Sequence, residues 1–301
     1  MTPSAPRISV CICTYKRPRL LERLLDALRE QETGGRFDYS IVVADNDALE
    51  SAAPVVRGFA AASGIPTVYC VEPRRNIALT RNKAIQQATG DFIAFIDDDE
   101  FPTRTWLKTL FDACGEFAAD GVLGPVKPHY EEPPPRWVVR GGFYDRPGYP
   151  TGFVIDWRKG RTGNVLLKRD VLIALDPPFR PEFLTGEDQD FFRRAIERGH
   201  AFVWCAEAVA YEAVPPLRWN RRFMLRRALL RGTISLLHPT VGARHVVRSF
   251  VAVPAYLAAL PFALCAGQGA FMTCLVKLCD HTGRLLATCG IKPIDEAYVT
   301  E

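Results

Sequence analysis

Asp97, Asp98, Asp99 and Glu100 stand side by side in FIAFIDDDE, directly after five residues without charge. Adjacent carboxylates repel one another, and a strand does not need them in order to end. On an extended backbone Asp97 and Asp99, two residues apart, point to the same side. Two carboxylates so placed suit a hard divalent cation such as Mg2+ or Mn2+, which takes oxygen ligands and keeps positions for phosphate and water. The plainer alternative is a solvated acidic turn. A second acidic group, Glu187 and Asp188 with Asp190, falls at the start of a helical pattern in TGEDQDFFRRAIERG. Acids there stabilise the helix dipole by about 0.3–1 kcal/mol without any chemistry. A carboxylate held in place can also act as a general base.

Both groups need a scaffold. ISVCICT is a short apolar, β-branched run that reads as a buried strand, and LLERLLDALREQ follows with leucines at helical spacing. YSIVVADND, PTVYCVE and FIAFI read as further strands, separated by the helical patterns PVVRGFAAASG and ALTRNKAIQQATG. This alternation predicts an α/β fold with a mostly parallel central sheet and helices on both faces. Ligands of such sheets bind at the carboxyl ends of strands. Three of those ends are polar: Thr14-Tyr15, Asp45-Asn46-Asp47 and Asp97-Asp98-Asp99. Beyond Glu100 come a helix near 105–116, a strand near 121–126, and a long irregular region rich in Pro, Gly and aromatics. RTGNVLLKRDVL then reads as a strand and short helix, and AFVWCAEAVAYE as one apolar strand.

The chain of 301 residues has a formal charge of +4. Eight arginines and no acid lie between Ala213 and Arg248, so the rest is net acidic. Despite this basic stretch no nucleic-acid partner is expected, because no nucleic-acid module is recognisable and apolar residues dominate around it. The nine cysteines form no CxxC pair, and the first residues lack the basic-then-apolar pattern of a secretory signal. Reduced thiols in a cytoplasmic setting are therefore expected.

The ordered motifs resemble the family 2 glycosyltransferases, inverting enzymes with the GT-A nucleotide-sugar-binding fold. SVCICTYKRPRLLERLLDAL resembles the family's opening strand and helix, and VVADND its second strand end. NIALTRNKAIQQATGDFIAFIDDDE resembles its Arg-Asn helix and Asp-x-Asp motif, and GEDQDFF its Glu-Asp motif. The resemblance implies that Thr14, Tyr15, Asp45, Asn46 and Arg81 hold the nucleotide and that Asp97 and Asp98 lie along the nucleotide sugar. It implies Asp99 as metal ligand with Asp97, Mg2+ or Mn2+ as cofactor, and Asp188 as the base. Glu187 would accompany Asp188 and touch an acceptor hydroxyl, while Gly163 and Asn164 fall in the segment before the acceptor site. For Asp190 the structural role is preferred, and His129 and His200 carry no supporting pattern. Many relatives have a His after the last strand. None stands in AVAYEAVPPLR, so either Glu212 contributes or Arg218 or Arg222 binds the diphosphate.

The expected division is a transferase domain at 1–215, with a nucleotide-sugar half at 1–100 and an acceptor half at 101–215. A basic and apolar helical appendage at 216–301 completes it. SFVAVPAYLAALPFALCAGQGAFMTCLV is about as long as a membrane-spanning helix, but Pro254 and Pro261 interrupt it. An interfacial or re-entrant hairpin is preferred to a spanning helix, and both to a buried helix pair. A protein on the cytoplasmic side of a membrane would fit a nucleotide-sugar donor, by resemblance a UDP-hexose, and a glycan or lipid-linked oligosaccharide acceptor in cell-surface polysaccharide synthesis. Two other readings compete. A sugar-nucleotide pyrophosphorylase would want a glycine-rich loop after the first strand, which CTYKRPRLL lacks. A non-catalytic membrane scaffold would not need both Asp99 and Asp188.

Overall fold

A computed structural model describes residues 5–238 and 241–294. The chain opens with β1 (Arg7–Thr14), α1 (Pro18–Arg29), β2 (Asp38–Asp45), α2 (Ala53–Ser63), β3 (Thr67–Val71), α3 (Ile77–Gln87) and β4 (Phe92–Ile96). It continues through β5 (Glu100–Pro102), α4 (Trp106–Glu116), β6 (Gly121–Leu123), β7 (Val126–His129) and the short α5 (Arg136–Arg140). Then come β8 (Asn164–Lys168), α6 (Arg169–Ile173), α7 (Glu187–Glu197), β9 (Phe202–Trp204) and β10 (Ala210–Ala213). The last helices are α8 (Arg221–Ile234), α9 (Ala243–Cys265) and α10 (Gln268–Thr288).

The chain divides into two compact units, one of residues 1–128 and 146–213, the other of 129–145 and 214–301. A linear division at 215 assigns 129–145 to the first part of the chain. The aromatic packing of Tyr130, Trp137 and Tyr144 with Val138, Val214 and Trp219 accounts for its place in the second unit. Contacts far apart in sequence decide that, and they are not visible in composition.

The first unit is built on a seven-stranded sheet in the order β3-β2-β1-β4-β8-β6-β9. All neighbouring pairs are parallel except those of β8, which runs antiparallel to β4 and β6. Alternation along each strand fills two cores. Ile8, Val10 and Ile12 of β1, with Ile41 and Val43 of β2 and Ala94 and Ile96 of β4, pack on one face under α1 and α4. The intervening Cys11, Val42, Ala44, Ile93 and Phe95 pack on the other, with Ala84 of α3 and Phe191 and Phe192 of α7. Each large apolar side chain so buried contributes about 1.5–3 kcal/mol. Helices therefore cover both faces.

AFVWCAEAVAYE is two strands rather than one. β9 ends the large sheet, and after a turn at Cys205–Ala208 β10 joins a separate three-stranded sheet, β5-β10-β7. An apolar run carries no mark of where a strand changes sheet. That second sheet aligns Glu212 with Glu100 across antiparallel partners.

In the second unit α8 and α10 meet closely at Gly232 and Gly283, where a β-carbon would stand 2.1 and 2.2 Å from the carbonyl oxygens of Asp280 and Leu229. Arg231 Nε donates to Asp280 at 2.9 Å across this contact. α9 runs unbroken through Pro254 and Pro261, contrary to the expected interruption. Each proline removes one intrahelical bond, yet the turn of the α9–α10 pair falls only at Ala266–Gly267, where Gly267 has φ +110°.

Candidate active site

β1, β2 and β4 are parallel and end together, and the antiparallel β8 begins beside them with Asn164 opposite Ile96. Thr14, Asp45, Asp97 and Gly163 are thereby delivered to one edge of the sheet.

The carboxylate run is a turn rather than extended chain, because the Glu100 amide donates to the Asp97 carbonyl at 3.0 Å. The two-residue alternation expected for Asp97 and Asp99 therefore does not set their partners. Asp98 is buried, accepts from Thr14 Oγ1 at 2.8 Å, and receives Arg17 Nη1 at 3.0 Å. The same Arg17 nitrogen lies 3.3 Å from Asp99 Oδ2. Lys16, at φ +56°, makes the left-handed turn that precedes Arg17, a conformation that costs a non-glycine residue roughly 1–2 kcal/mol. Burial, and secondarily the charge of Asp99, push the Asp98 carboxyl up to about 7 against the opposing pull of Arg17.

Asp97 faces elsewhere. Its Oδ1 lies 3.8 Å from Arg81 Nη2, while Arg81 Nη1 donates a short hydrogen bond to Glu187 Oε1. Arg81 is buried and so links the first acidic group to the second. Burial opposes its charge, but Glu187 and Asp97 keep the guanidinium firmly protonated. Burial also raises the carboxyl of Asp97, helped by Asp99 and resisted by Arg81.

Gly186, at φ +78°, supplies the left-handed residue from which α7 starts. Asp188 is half-buried just inside that start, and its Oδ1 accepts from the Gln189 amide at 2.7 Å. Burial, followed by the charge of Glu187, lifts its carboxyl to about 6, while Arg161 and Arg81 pull the other way. Asp190 is held by Arg180, Arg193 and Arg194, with Nε of Arg180 and of Arg194 both at 2.8 Å. It serves to fasten α7.

Asp45 and Asn46 are built into the loops. Asp45 accepts from the amides of Asp47 and Ala52 and from the Tyr69 hydroxyl, each at 2.9 Å. The Asn46 amide donates to the carbonyls of Glu72 and Arg74 at 2.7 Å and accepts from Asn76 N at 3.1 Å. Tyr15 is half-buried, with the Arg75 guanidinium 4.7 Å from its ring centre. Asn164 is also taken up inside the scaffold, accepting from Trp106 Nε1 at 2.7 Å and donating to the carbonyls of Pro125 and Ala208. It can offer the site position rather than a free amide.

Three participants were not anticipated. Arg17 sits in CTYKRPRLL, beside a strand end already singled out, and could have been found there. Glu100 is the fourth acid of the run. Arg146 reaches both Glu212, by a short hydrogen bond from Nη2, and Glu100, at 3.8 Å. It comes from the irregular region, where no pattern marks it. Glu212 thus belongs to the carboxylate group of the first unit, whereas Arg218 and Arg222 belong to the second. His200 Nδ1 lies 3.4 Å from Asp120, and His129 closes β7. Among the described residues no group of three or more His, Cys, Asp or Glu side chains is arranged to hold a metal by itself.

The fold and this edge of acids define a nucleotide-sugar transferase framework. The chain belongs to the family 2 glycosyltransferases, whose family model, Glycosyl transferase family 2, matches residues 9–169. It is 35% identical to the succinoglycan biosynthesis protein ExoM of Rhizobium meliloti over 228 residues, covering 75% of this chain and 72% of that protein. It is 24% identical to the glycosyltransferase AglE of Haloferax volcanii, covering 72% and 70% respectively. Among solved structures, the mannosyltransferase PcManGT of Pyrobaculum calidifontis, in complex with GDP-Man and Mn2+, superposes with a TM-score of 0.59. It is 20% identical, and the match covers 94% of this chain and 88% of that one. TarS 1–349 of S. aureus in complex with UDP gives a TM-score of 0.52 at 16% identity, covering 96% and 93%. This family membership displaces the pyrophosphorylase reading.

Proposed function

We propose that the protein transfers a hexose with inversion from a UDP-sugar to a hydroxyl of a glycan, in synthesis of a cell-surface polysaccharide. The observation that carries this reading is Arg81, whose guanidinium spans Glu187 and Asp97. It joins the Asp-rich turn to the Glu-Asp helix start, as a donor site beside a base requires.

Thr14, Tyr15, Asp45 and Asn46 form the nucleotide side. Asp45 and Asn46 act there by fixing the loops, since their side chains are engaged within the chain. Arg81 offers positive charge near the diphosphate, and Asp98 ties the ends of β1 and β4 together through Thr14 and Arg17. Asp99, with Asp97 beside it, would offer hard oxygen donors to Mg2+ or Mn2+, too few to hold the ion by themselves. The remaining ligand positions would belong to phosphate oxygens and water. Such an ion supplies Lewis-acid stabilisation of the departing diphosphate's charge.

Asp188 is the base. Its Oδ1 is occupied by the Gln189 amide, so Oδ2 takes the proton of the acceptor hydroxyl as that oxygen attacks the anomeric carbon. Glu187, held by Arg81, orients the acceptor, and the backbone at Gly163 and Asn164 borders it. UDP with Mn2+ should raise the melting temperature by about 5 °C at saturating ligand, and EDTA should abolish the shift. No shift with UDP and Mn2+ contradicts the assignment.

The second unit suits a membrane-borne acceptor. α9 exposes Val247, Phe250, Val251, Leu257, Phe262 and Leu264, each more than half accessible, and carries Arg244 and Arg248 near its start. Arginines beside exposed apolar residues match an anionic lipid interface. The reading is of a protein on the cytoplasmic face of a membrane with a lipid-linked glycan as acceptor.

A further inference from the structure

Arg222, Leu225, Arg226 and Leu229 recur at helical spacing and so share one face of α8. The face borders the crossing of α8 and α10 at Gly232 and Gly283, and Cys279 of α10 forms its opposite wall. After α10 the chain turns back. Gly290 has φ +75°, the Ile291 amide donates to the Leu286 carbonyl at 2.9 Å, and Pro293 and Ile294 then make a third wall. Together these residues line an open cavity of about 660 Å³, a volume within the range of small-molecule sites. The lining is divided by chemistry. Arg222 and Arg226 stand toward the start of α8, the positive end of its dipole. Leu229 lies about 10 Å further along the axis than Arg222. No acid lines the cavity among the described residues, and Asp280, next to Cys279, is engaged by Arg231.

We propose that this groove holds a single anionic phospholipid, its phosphate on Arg222 and Arg226 and the first part of an acyl chain along Leu225, Leu229, Cys279 and Ile294. The inference rests on the membrane-side reading of the second unit and adds a defined lipid site to it. A free phosphate would use the two arginines and leave the apolar walls in water. A lipid without net charge would cover those walls and leave the two guanidiniums uncompensated. Both demands are met by an anionic amphiphile. The exposed apolar residues of α9 fit the same unit to a membrane, which supplies one.

Calorimetry on the full chain tests this with dihexanoylphosphatidylglycerol below its micelle concentration, beside dihexanoylphosphatidylcholine and glycerol 3-phosphate. Wild type should bind the phosphatidylglycerol one-to-one and about tenfold more tightly than either control. Arg222→Gln with Arg226→Gln should lose about tenfold or more, since each basic residue near an anionic lipid adds roughly fivefold. Both arginines are exposed, so this variant should fold; Leu225→Ser should weaken binding as well, through the apolar wall. Equal binding of phosphatidylglycerol and glycerol 3-phosphate marks an anion site without a chain and overturns the inference. Equal binding of the two lipids removes the charge recognition and overturns it too. Undiminished phosphatidylglycerol binding by the double arginine variant places the lipid elsewhere and has the same consequence. Residues 295–301 begin with Asp295 and Glu296. Lipid binding that emerges only in Asp295→Asn with Glu296→Gln makes that segment the occupant, against the inference. Sedimentation of wild type with anionic vesicles separates the two readings. Vesicle binding without one-to-one binding of the short-chain lipid overturns this site alone, and loss of both overturns the membrane reading with it.

Discussion

Asp188 sits where burial and Glu187 hold its carboxyl near 6 rather than the usual 3.8, and its useful form is the carboxylate. Activity should therefore fall about tenfold per pH unit below 6, and kcat/KM against pH should show that limb. The same shift has a stability consequence of defined sign. Because the folded-state value is raised, the folded protein keeps a proton between about pH 4 and 6 that the unfolded chain releases, and stability falls as pH rises through that window. Asp188→Asn should melt higher than wild type at pH 7.5, with the difference vanishing near pH 4. Arg17 gives a second test at this scale. Its removal leaves Asp98 and Asp99 without their shared cation; a partly exposed arginine makes the expected loss about 1–2 kcal/mol. Thermal unfolding of Arg17→Ala would read it. Arg17 is a residue that sequence could have revealed, lying beside a strand end. Arg146 is not, because its partners Glu100 and Glu212 meet it only through sheet pairing and a returning loop.

The strand ends were legible because apolar runs ending in polar residues recur at β1, β2 and β4. What they could not convey was the turn from Asp97 to Glu100, which gives Asp97 to Arg81 and Asp98 to Arg17 instead of alternating sides. Strand exchange at Cys205–Ala208 was hidden for a similar reason: both halves of AFVWCAEAVAYE are apolar, and only pairing separates β9 from β10. Asn164 shows how an element's start can be fixed by a single amide. It joins β8 to Trp106 of α4 and to two carbonyls. Asn164→Ala would strand those partners in the interior at a cost of about 2–4 kcal/mol. The melting temperature should drop accordingly, and kcat should fall with it, since Gly163 adjoins Asn164.

At the scale of the molecule, α9 is 23 residues long, about 34 Å of helix, and by length and composition can cross a membrane. Its apolar exposure and flanking arginines favour the lipid interface. The full chain should sediment with vesicles containing anionic phosphatidylglycerol, with binding weakened by salt. Phe250→Ser with Phe262→Ser should lower that binding about tenfold or more, given the apolar area removed; equal sedimentation of variant and wild type would refute the membrane role. The basic-apolar character of this region was plain in composition, but the recruitment of 129–145 into the same unit was not, for it depends on aromatic residues distant in sequence. Catalysis in this reading joins a nucleotide-sugar site to a base about ninety residues away. Its most direct measurement is sugar transfer or UDP release from a panel of UDP-hexoses in Mn2+, by wild type and Asp188→Asn side by side. Wild type should turn over, and Asp188→Asn should lose about 10²–10⁴-fold with UDP affinity unchanged. Undiminished turnover by Asp188→Asn would contradict its role as base.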